Sequence, residues 1–504
     1  MKYIFNEDSQ IDIVDRVLKQ NGVTKQDLDV TNFEVDYNIQ VINDFKEALL
    51  SNKDKSFLIV GDYDCDGICS TTIIKKLLTD LDIKCNHYIP SRIKQGYGLN
   101  QEIVLNAYNN KFDCIFCVDN GVVAYDAIDK ANELGIEVYI IDHHEYEQLP
   151  KCSGFLHPRI FPKEYEDMCA SGVCALLSNS FRYDDLTTVY GGLATLADMV
   201  KVFGYNRYLI KQMLDTLKHI NVEPISLLLG KNDITYQNLQ FSVIPRINAV
   251  SRLDNLMNVN YVVKYLLSSG QECLDYFYKI ETINKARKDY SQQMQGLALR
   301  LIDDSRKIAI VEHKDFKEGL CGLVANKLLD VINKPVIVFA EVDGILKGSG
   351  RSIEGFNIYE YLKGAQELFE SFGGHELAVG ISIKQENFDK LLNYIDTHDI
   401  DIQERNKDVL LVDSDELNFD LLNELKKLEP FGTGFVEPLF AMKNLNYKNF
   451  IVANKYPKFI INDFLSAISF NNKHVNRSFS YMVGHLKKDD YKNNCLSFVI
   501  EDLV

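Results

Sequence analysis

No stretch of about 18 consecutive apolar residues occurs in this chain, so a membrane-spanning helix is excluded and no membrane partner is expected. The opening MKYIFNEDSQ has no apolar core of signal-peptide length, and a cytoplasmic protein is expected. Positive charge is in deficit: 55 Lys and Arg stand against 72 Asp and Glu, a formal net charge of −17. A surface of that sign repels polyanions, which excludes a nonspecific basic coat for nucleic acid. It leaves room for a local basic groove, or for carboxylates neutralised by metal. Paired cysteine signatures are missing too. The 11 cysteines are scattered through apolar segments. Cys114 and Cys117 have C-x-x-C spacing, but a strand turns them to opposite faces and no second pair stands at zinc-site spacing. Reduced core cysteines are the reading. Tryptophan is absent, a matter of coding bias, and there is neither an internal repeat nor a low-complexity tract.

What is there is a rhythm of strands and helices. The composition is 46% apolar, enough for a large core, and 504 residues fit about three domains. From about Ser56 to Ile141, FLIV, CIFCV and EVYII alternate with amphipathic stretches such as the one presenting Ile73, Ile74, Leu77 and Leu78. This predicts an α/β fold with a parallel sheet covered on both faces, whose ligands sit beyond the carboxyl ends of the strands. Those ends read Asp62-Tyr63-Asp64, Asp119-Asn120-Gly121 and Asp142-His143-His144. The predicted organisation is an α/β domain over 1–210, a helical connector over 211–305, a second α/β domain over 306–400 and a β-rich barrel or sandwich over 401–504.

GDYDCDG sets Asp62, Asp64 and Asp66 two apart, ahead of Gly67 and a helix. One aspartate in that place would cap a turn or a helix. Three repel one another, burying even one unpaired carboxylate costs several kcal/mol, and no Lys or Arg lies between Lys55 and Lys75. A divalent cation answers the repulsion. Asp119, His143, His144 and Asp198, at the end of GGLATLAD, are further candidate ligands. Mixed carboxylate and imidazole ligands suit manganese, magnesium, iron or zinc, and the lack of a thiolate cluster disfavours structural zinc. The set exceeds what one ion needs; two ions about 4 Å apart, sharing a carboxylate, would use it all. Metal-dependent hydrolysis of a phosphodiester or phosphoanhydride is the inferred reaction class.

Candidate phosphate-binding groups lie elsewhere. GGHELAVG puts Gly373 and Gly374 before His375, which suits close approach to an anion, although a plain glycine turn would read the same. LKGSGRS offers Lys347, Ser349, Arg351 and Ser352; VIPRINAVSRLDN offers Arg246, Asn248 and Arg252; PSRIKQGYGL offers Arg92 and Tyr97, the tyrosine able to stack on a base. Any one cluster could be a solvated face. Four beside a two-metal site favour an extended polyanion.

In order and character, GDYDCDG, VDNG, DHH and the Asp198 segment resemble the four motifs of the DHH phosphoesterase superfamily, and KGSGRS with GGHELAVG resembles its DHH-associated domain. PSRIKQGYGL, VIPRINAVSRL, ETINKARKDY and LEPFGTGFVEPLF are similar to the RecJ family of single-strand-specific exonucleases, over about Lys55 to Phe440. The resemblance implies a 5′-to-3′ exonuclease of single-stranded DNA in recombination and repair, using two Mn2+ or Mg2+ ions. Asp64, Asp66, Asp119, His143 and Asp198 would be the metal ligands, with Asp119 bridging. Asp62 and His144 would orient ligands or the leaving group, and His375 and Arg351 would hold phosphates. Residues 401–504 would be an OB-like single-strand guide. Single-strand-binding protein and a helicase are candidate protein partners of a monomer. Three departures stand out: Gln95 replaces a family acid, Ser251 replaces a glycine, and the first fifty residues match poorly. The further C-terminal domain of longer members is expected to be absent. Two other readings are a relative that cleaves short oligonucleotides or cyclic dinucleotides, and a catalytically dead scaffold. The intact acids argue against the second.

Overall fold

The structure, a computed structural model, describes residues 2–7, 10–303, 305–404, 406–453, 455–489, 492 and 494–504. It falls into two compact units, one of Asp36–Asp198 with Leu209–Gln403, the other of Met1–Val35, Met199–Tyr208 and Glu404–Val504. Among the described residues no helix is long and apolar enough to cross a membrane.

In the first unit, five parallel strands stand in the order Cys85–Tyr88, Phe57–Gly61, Cys114–Val118, Glu137–Ile141, Gly154–Leu156. The Phe57–Gly61 and Cys114–Val118 strands are buried at every residue because both faces are covered. Leu58, Val60, Ile115, Cys117, Val138 and Ile140 pack on Ile103, Val104, Ala127 and Ile128 of the helices Gln101–Asn109 and Tyr125–Glu133. On the opposite face Phe45 meets Phe116 and Tyr139, at ring separations of 5.7 and 5.8 Å. Cys114 and Cys117 are free thiols on opposite faces, and burial pushes Cys114 up to about 12. Because the sheet is all parallel, every carboxyl end opens on one edge.

The same unit carries a second sheet in the order Phe369–His375, Ala378–Lys384, Ile345–Arg351, Val336–Val342, Ala309–His313, antiparallel except for its last pair. The glycines of KGSGRS have a packing cause. A Cβ on Gly348 would lie 2.4 Å from the Phe339 ring, and one on Gly350 2.5 Å from Val379. Period-two alternation then puts Lys347, Ser349 and Arg351 together on the other face. Between the sheets run helices that include Ile244–Arg252, entered through a π-helical turn at Leu239–Val243, and the long Gly270–Leu301.

The other unit is built on a mixed sheet of eight strands: Lys2–Asn6, Asn406–Leu411, Phe440–Lys443, Tyr481–Lys488, Leu496–Leu503, Leu465–Ser469, Tyr456–Ile460, Lys448–Val452. Residues 1–35, drawn from sequence with the first α/β domain, cluster here, where Lys2–Asn6 pairs in parallel with Asn406–Leu411. A five-residue strand carries no sign of a partner 400 residues away. Buried Arg207 fastens 199–208 to this unit by donating to the carbonyls of Leu28 (2.8 Å), Leu428 (2.6 Å) and Pro430 (2.9 Å). It thereby satisfies the carbonyl end of the helix Phe419–Leu428.

Candidate metal centre

Each strand end of the parallel sheet delivers its acid in a different way. Asp64 is the N-cap of the helix Cys65–Asp80, accepting from the backbone N–H of Asp66 (2.9 Å) and Gly67 (3.1 Å). Gly67 is required, since a Cβ there would fall 2.4 Å from the Asp62 carbonyl oxygen. Asp66 points across to the helix Ala170–Phe181, which has no side-chain cap of its own, and accepts from Ala170 N (2.9 Å) and Ser171 N (2.8 Å). Asp62 is buried with an Oδ1 that accepts no hydrogen bond. Asp119 follows the Cys114–Val118 strand at φ +59°, a left-handed backbone uncommon for a non-glycine residue. Its buried Oδ1 also accepts no hydrogen bond, although His143 Nε2 lies 3.3 Å away. Asp198 ends the helix Asp185–Ala197, where the helix dipole disfavours a carboxylate.

His143 gathers these acids, with Nε2 3.3 Å from Asp119 and 3.9 Å from Asp66, and Nδ1 3.7 Å from Asp198. Ligand atoms of three triads lie within 4.8 Å of one another: Asp62, Asp64 and Asp119; Asp66, His143 and Asp198; Asp119, His143 and His144. Burial, and then the charges of their neighbours, push the carboxyls of Asp62, Asp64 and Asp119 up, and Asp198 up to about 8. Burial lowers the His143 imidazole in spite of the carboxylates around it. His144 is raised: burial opposes this, but its 2.7 Å bond to Asp142 and that carboxylate's charge prevail. Unpaired buried oxygens, like charges that cannot all ionise, and donors limited to carboxylate and imidazole fit a pair of hard divalent cations.

A cationic cluster faces the acids. Arg92 stacks 4.8 Å over the Tyr63 ring, and its charge bears on Asp62, Arg252 and Arg351. Arg252 donates to the Gly319 carbonyl (3.4 Å), and burial, then the charges of Arg92, Arg287 and Arg351, push it down to about 9. Arg351 donates to Ser349 Oγ (2.9 Å). A Cβ on Gly322, in the first turn of the helix Cys321–Ile332, would lie 3.0 Å from Arg351 Nη2 and 3.1 Å from Ser349 Oγ. That N-terminus has no side-chain cap. Arg252, Ser349 and Arg351 are thus brought together around it, with Arg92 near enough for its charge to bear on both arginines.

Other sequence-named residues are engaged differently. Tyr97 donates to the Asp119 carbonyl (2.8 Å) and meets the His144 ring edge-on at 5.5 Å, so its hydroxyl turns toward the acids. Arg246 pairs with Glu281 at 2.5 Å. Ser352 is buried and donates to the Phe356 carbonyl (2.7 Å). Gly373, Gly374 and His375 are exposed at a hairpin end. There Gly374 at φ +148° has no room for a Cβ, and His375 pairs with Ala378, which pairs with Arg351. Gln95 accepts from Tyr88 (2.5 Å) and Ser91 N (3.2 Å), and Ser251 donates to the Asn248 carbonyl (3.2 Å).

Three positioning groups had no role assigned to them from sequence. Asp142 takes hydrogen bonds from Val122 N (3.0 Å), His143 N (2.8 Å) and His144 Nδ1, so it braces the whole turn. Asn120 donates to the Val60 (2.9 Å) and Val118 (2.8 Å) carbonyls, tying two strand ends together. His157 lies 3.0 Å, through Nε2, from the His144 carbonyl. Only Asp142 and Asn120 carried a signal, their place at strand ends.

Residues 56–197 match the DHH family, N-terminal domain; 305–398 match the DHHA1 domain; 410–502 match the RecJ OB domain. The chain is 30% identical over 426 residues to the single-stranded-DNA-specific exonuclease RecJ of Bacillus subtilis, covering 79% of this chain and 53% of that protein. It is 29% identical over 450 residues to the RecJ of Haemophilus influenzae, covering 80% and 76%. It thus spans about half the length of the first relative and three quarters of the second. The crystal structure of Thermus thermophilus RecJ in complex with Mn2+ superposes with a TM-score of 0.83 at 23% identity, over 97% of this chain and 75% of that one.

Proposed function

The chain belongs to the DHH family, in its RecJ branch, and from that premise we propose that it is a metal-dependent exonuclease degrading single-stranded DNA from the 5′ end. One observation carries the reading: in a single compact unit, a buried cluster of acids, two of them with a carboxylate oxygen that accepts no hydrogen bond, faces a cluster of arginines that form no ion pairs with carboxylates among the described residues. Acids of that kind ask for cations, and such arginines ask for phosphate.

Asp64, Asp66, Asp119, His143 and Asp198 would hold two Mn2+ or Mg2+ ions, with Asp119 shared. When bound, such a pair activates water and stabilises the attacking and leaving oxygens of a phosphoryl displacement. The chain's own groups do the rest. Arg92, Arg252, Arg351 and Ser349, at the uncapped helix N-terminus, hold a phosphate of the strand, with His375 further along the same sheet. Asp142 fixes the His144 ring through Nδ1. That leaves Nε2 as the nitrogen able to hand a proton to the leaving 3′ oxygen. Asp62 steers its neighbours through charge and draws Arg92 toward the site. The strand is the partner, with single-strand-binding protein and a helicase as candidate protein partners of a cytoplasmic monomer.

The test is to incubate the protein and its Asp66→Ala variant with Mn2+ and a labelled single strand. Release of mononucleotides from the 5′ end, absent in the variant, is expected. Cleavage confined to dinucleotides or cyclic dinucleotides would replace this reading with that of a small-substrate phosphodiesterase.

A further inference from the structure

The arginine cluster does not end at Arg252. One helix further on, Arg287 of the long helix Gly270–Leu301 adds its charge to that of Arg252. Its Nη2 donates to Asn284 Oδ1 at 2.9 Å, a neutral partner that fixes the guanidinium without neutralising it. Its Nε is buried with no acceptor. Lys327, on the helix Cys321–Ile332, reaches the same helix one turn along and donates to Ser291 Oγ at 2.8 Å. Burial and then the charge of Arg246 lower Arg287, while burial and then the charge of Arg287 lower Lys327, so the field between these helices is positive.

Among the described residues no carboxylate forms an ion pair with Arg287 or Lys327: Glu281 is taken by Arg246 at 2.5 Å, and Glu318 by Lys347 at 3.1 Å. Partly buried cations with fixed geometry and no counter-charge are the protein half of an anion site. Arg252, Arg351 and Ser349, gathered around Gly322, are the groups proposed above to hold one phosphate.

We infer that Arg287, with Lys327 beside it, binds a second phosphate of the substrate, distinct from the one held by Arg252, Arg351 and Ser349. This rests on the reading of the chain as a strand-hydrolysing enzyme. The second phosphate has two sources, the next backbone phosphate of the strand or an extra phosphate on its 5′ end.

Binding of 3′-labelled dT oligomers by the full chain carrying Asp66→Ala, titrated with salt by fluorescence anisotropy, decides the matter. The oligomers carry a 5′-hydroxyl, 5′-monophosphate or 5′-triphosphate. Adding Arg287→Gln should weaken binding about tenfold at low salt and flatten the dependence of log K on log salt by about 0.7, the value of one phosphate contact on a single strand. Arg287→Lys, which keeps the charge, should restore the slope. Loss with all three ends assigns a backbone phosphate, and loss confined to the triphosphate end assigns the terminal one. An unchanged slope in Arg287→Gln, whether or not affinity falls, overturns the inference alone. Failure of the parent to bind any strand overturns the functional reading and the inference with it.

Discussion

Replacing one acid of the candidate metal centre should make the metal-free protein more stable, and Asp198→Asn is the cleanest case. Asp198 is held up to about 8 from an ordinary 3.8, by burial first and then by the charges of Asp66 and Asp64. A carboxyl raised in this way takes up a proton on folding, so the metal-free protein loses stability as pH rises from about 4 to about 8. Between 3.8 and a working pH of about 7.5, at about 1.36 kcal/mol per pH unit, the ceiling is about 5 kcal/mol. Asp64 and Asp66 keep repelling each other after the substitution, so a gain of about 2 kcal/mol is expected, or about 4 °C in Tm for a domain of this size. Asparagine also removes a negative charge from the carboxyl end of the helix Asp185–Ala197, which acts in the same direction.

The assay is thermal unfolding of both proteins after chelation, across pH 4.5 to about 8, with and without Mn2+. Wild type should gain about 2.7 kcal/mol from Mn2+ at a hundred times its Kd, and the variant much less. The stability advantage of the metal-free variant should shrink toward pH 4.5, where wild-type Asp198 is already neutral. A metal-free variant no more stable than wild type at pH 7.5, or one with the full Mn2+ response, would refute the reasoning.

At the helix N-terminus facing the arginines, Gly322→Ala would set a Cβ 3.0 Å from Arg351 Nη2 and 3.1 Å from Ser349 Oγ. Both are movable side-chain ends, so Tm should stay within about 1 °C while KM for the strand rises about tenfold, read by steady-state kinetics with parallel unfolding scans. In the eight-stranded unit, the His485 hydrogen bond, opposed by burial and joined by Lys407, holds Glu501 down to about 2. A depressed acid stabilises the fold above its unfolded pKa and loses that contribution as pH falls through the folded value. Glu501→Gln should therefore lower Tm at pH 6 and above, with the deficit closing between about pH 4 and 2; a constant deficit would point to lost packing instead.

The parallel-sheet part of the fold was legible because its signals are local. Each apolar run ends in an acid, the runs alternate with amphipathic stretches, and a parallel sheet turns consecutive run-ends into one edge. Gly67 could be flagged from GDYDCDG, although its cause, the Asp62 carbonyl 2.4 Å from any Cβ, needs the folded chain. Long-range pairing left no such mark. Lys2–Asn6 gives no hint of Asn406–Leu411. Arg287, one of several cations in ETINKARKDY, stands apart only once the helices around it are packed. Ser352 looked equivalent to Ser349, yet it lies just past the end of the strand Ile345–Arg351, and its hydroxyl turns inward to the Phe356 carbonyl.

For the acids of GDYDCDG, capping and metal binding are compatible roles. Asp64 caps its own helix through Oδ1, and Asp66 caps Ala170–Phe181. Both also sit in triads able to hold a cation. The backbone N–H groups fix each carboxylate before any ion arrives, and without that bracing two like charges so close would rotate apart. Asp62 and Asp119, each with a buried Oδ1 that has no such donor, carry the uncompensated part of the charge. A division of labour follows: braced acids set the geometry of the site, and unbraced acids set its demand for a cation. Asparagine at Asp64 would keep the cap while lowering ligand charge, whereas asparagine at Asp62 or Asp119 would remove the demand itself. Stability gained on substitution, measured without metal, should therefore be larger at Asp119 than at Asp64.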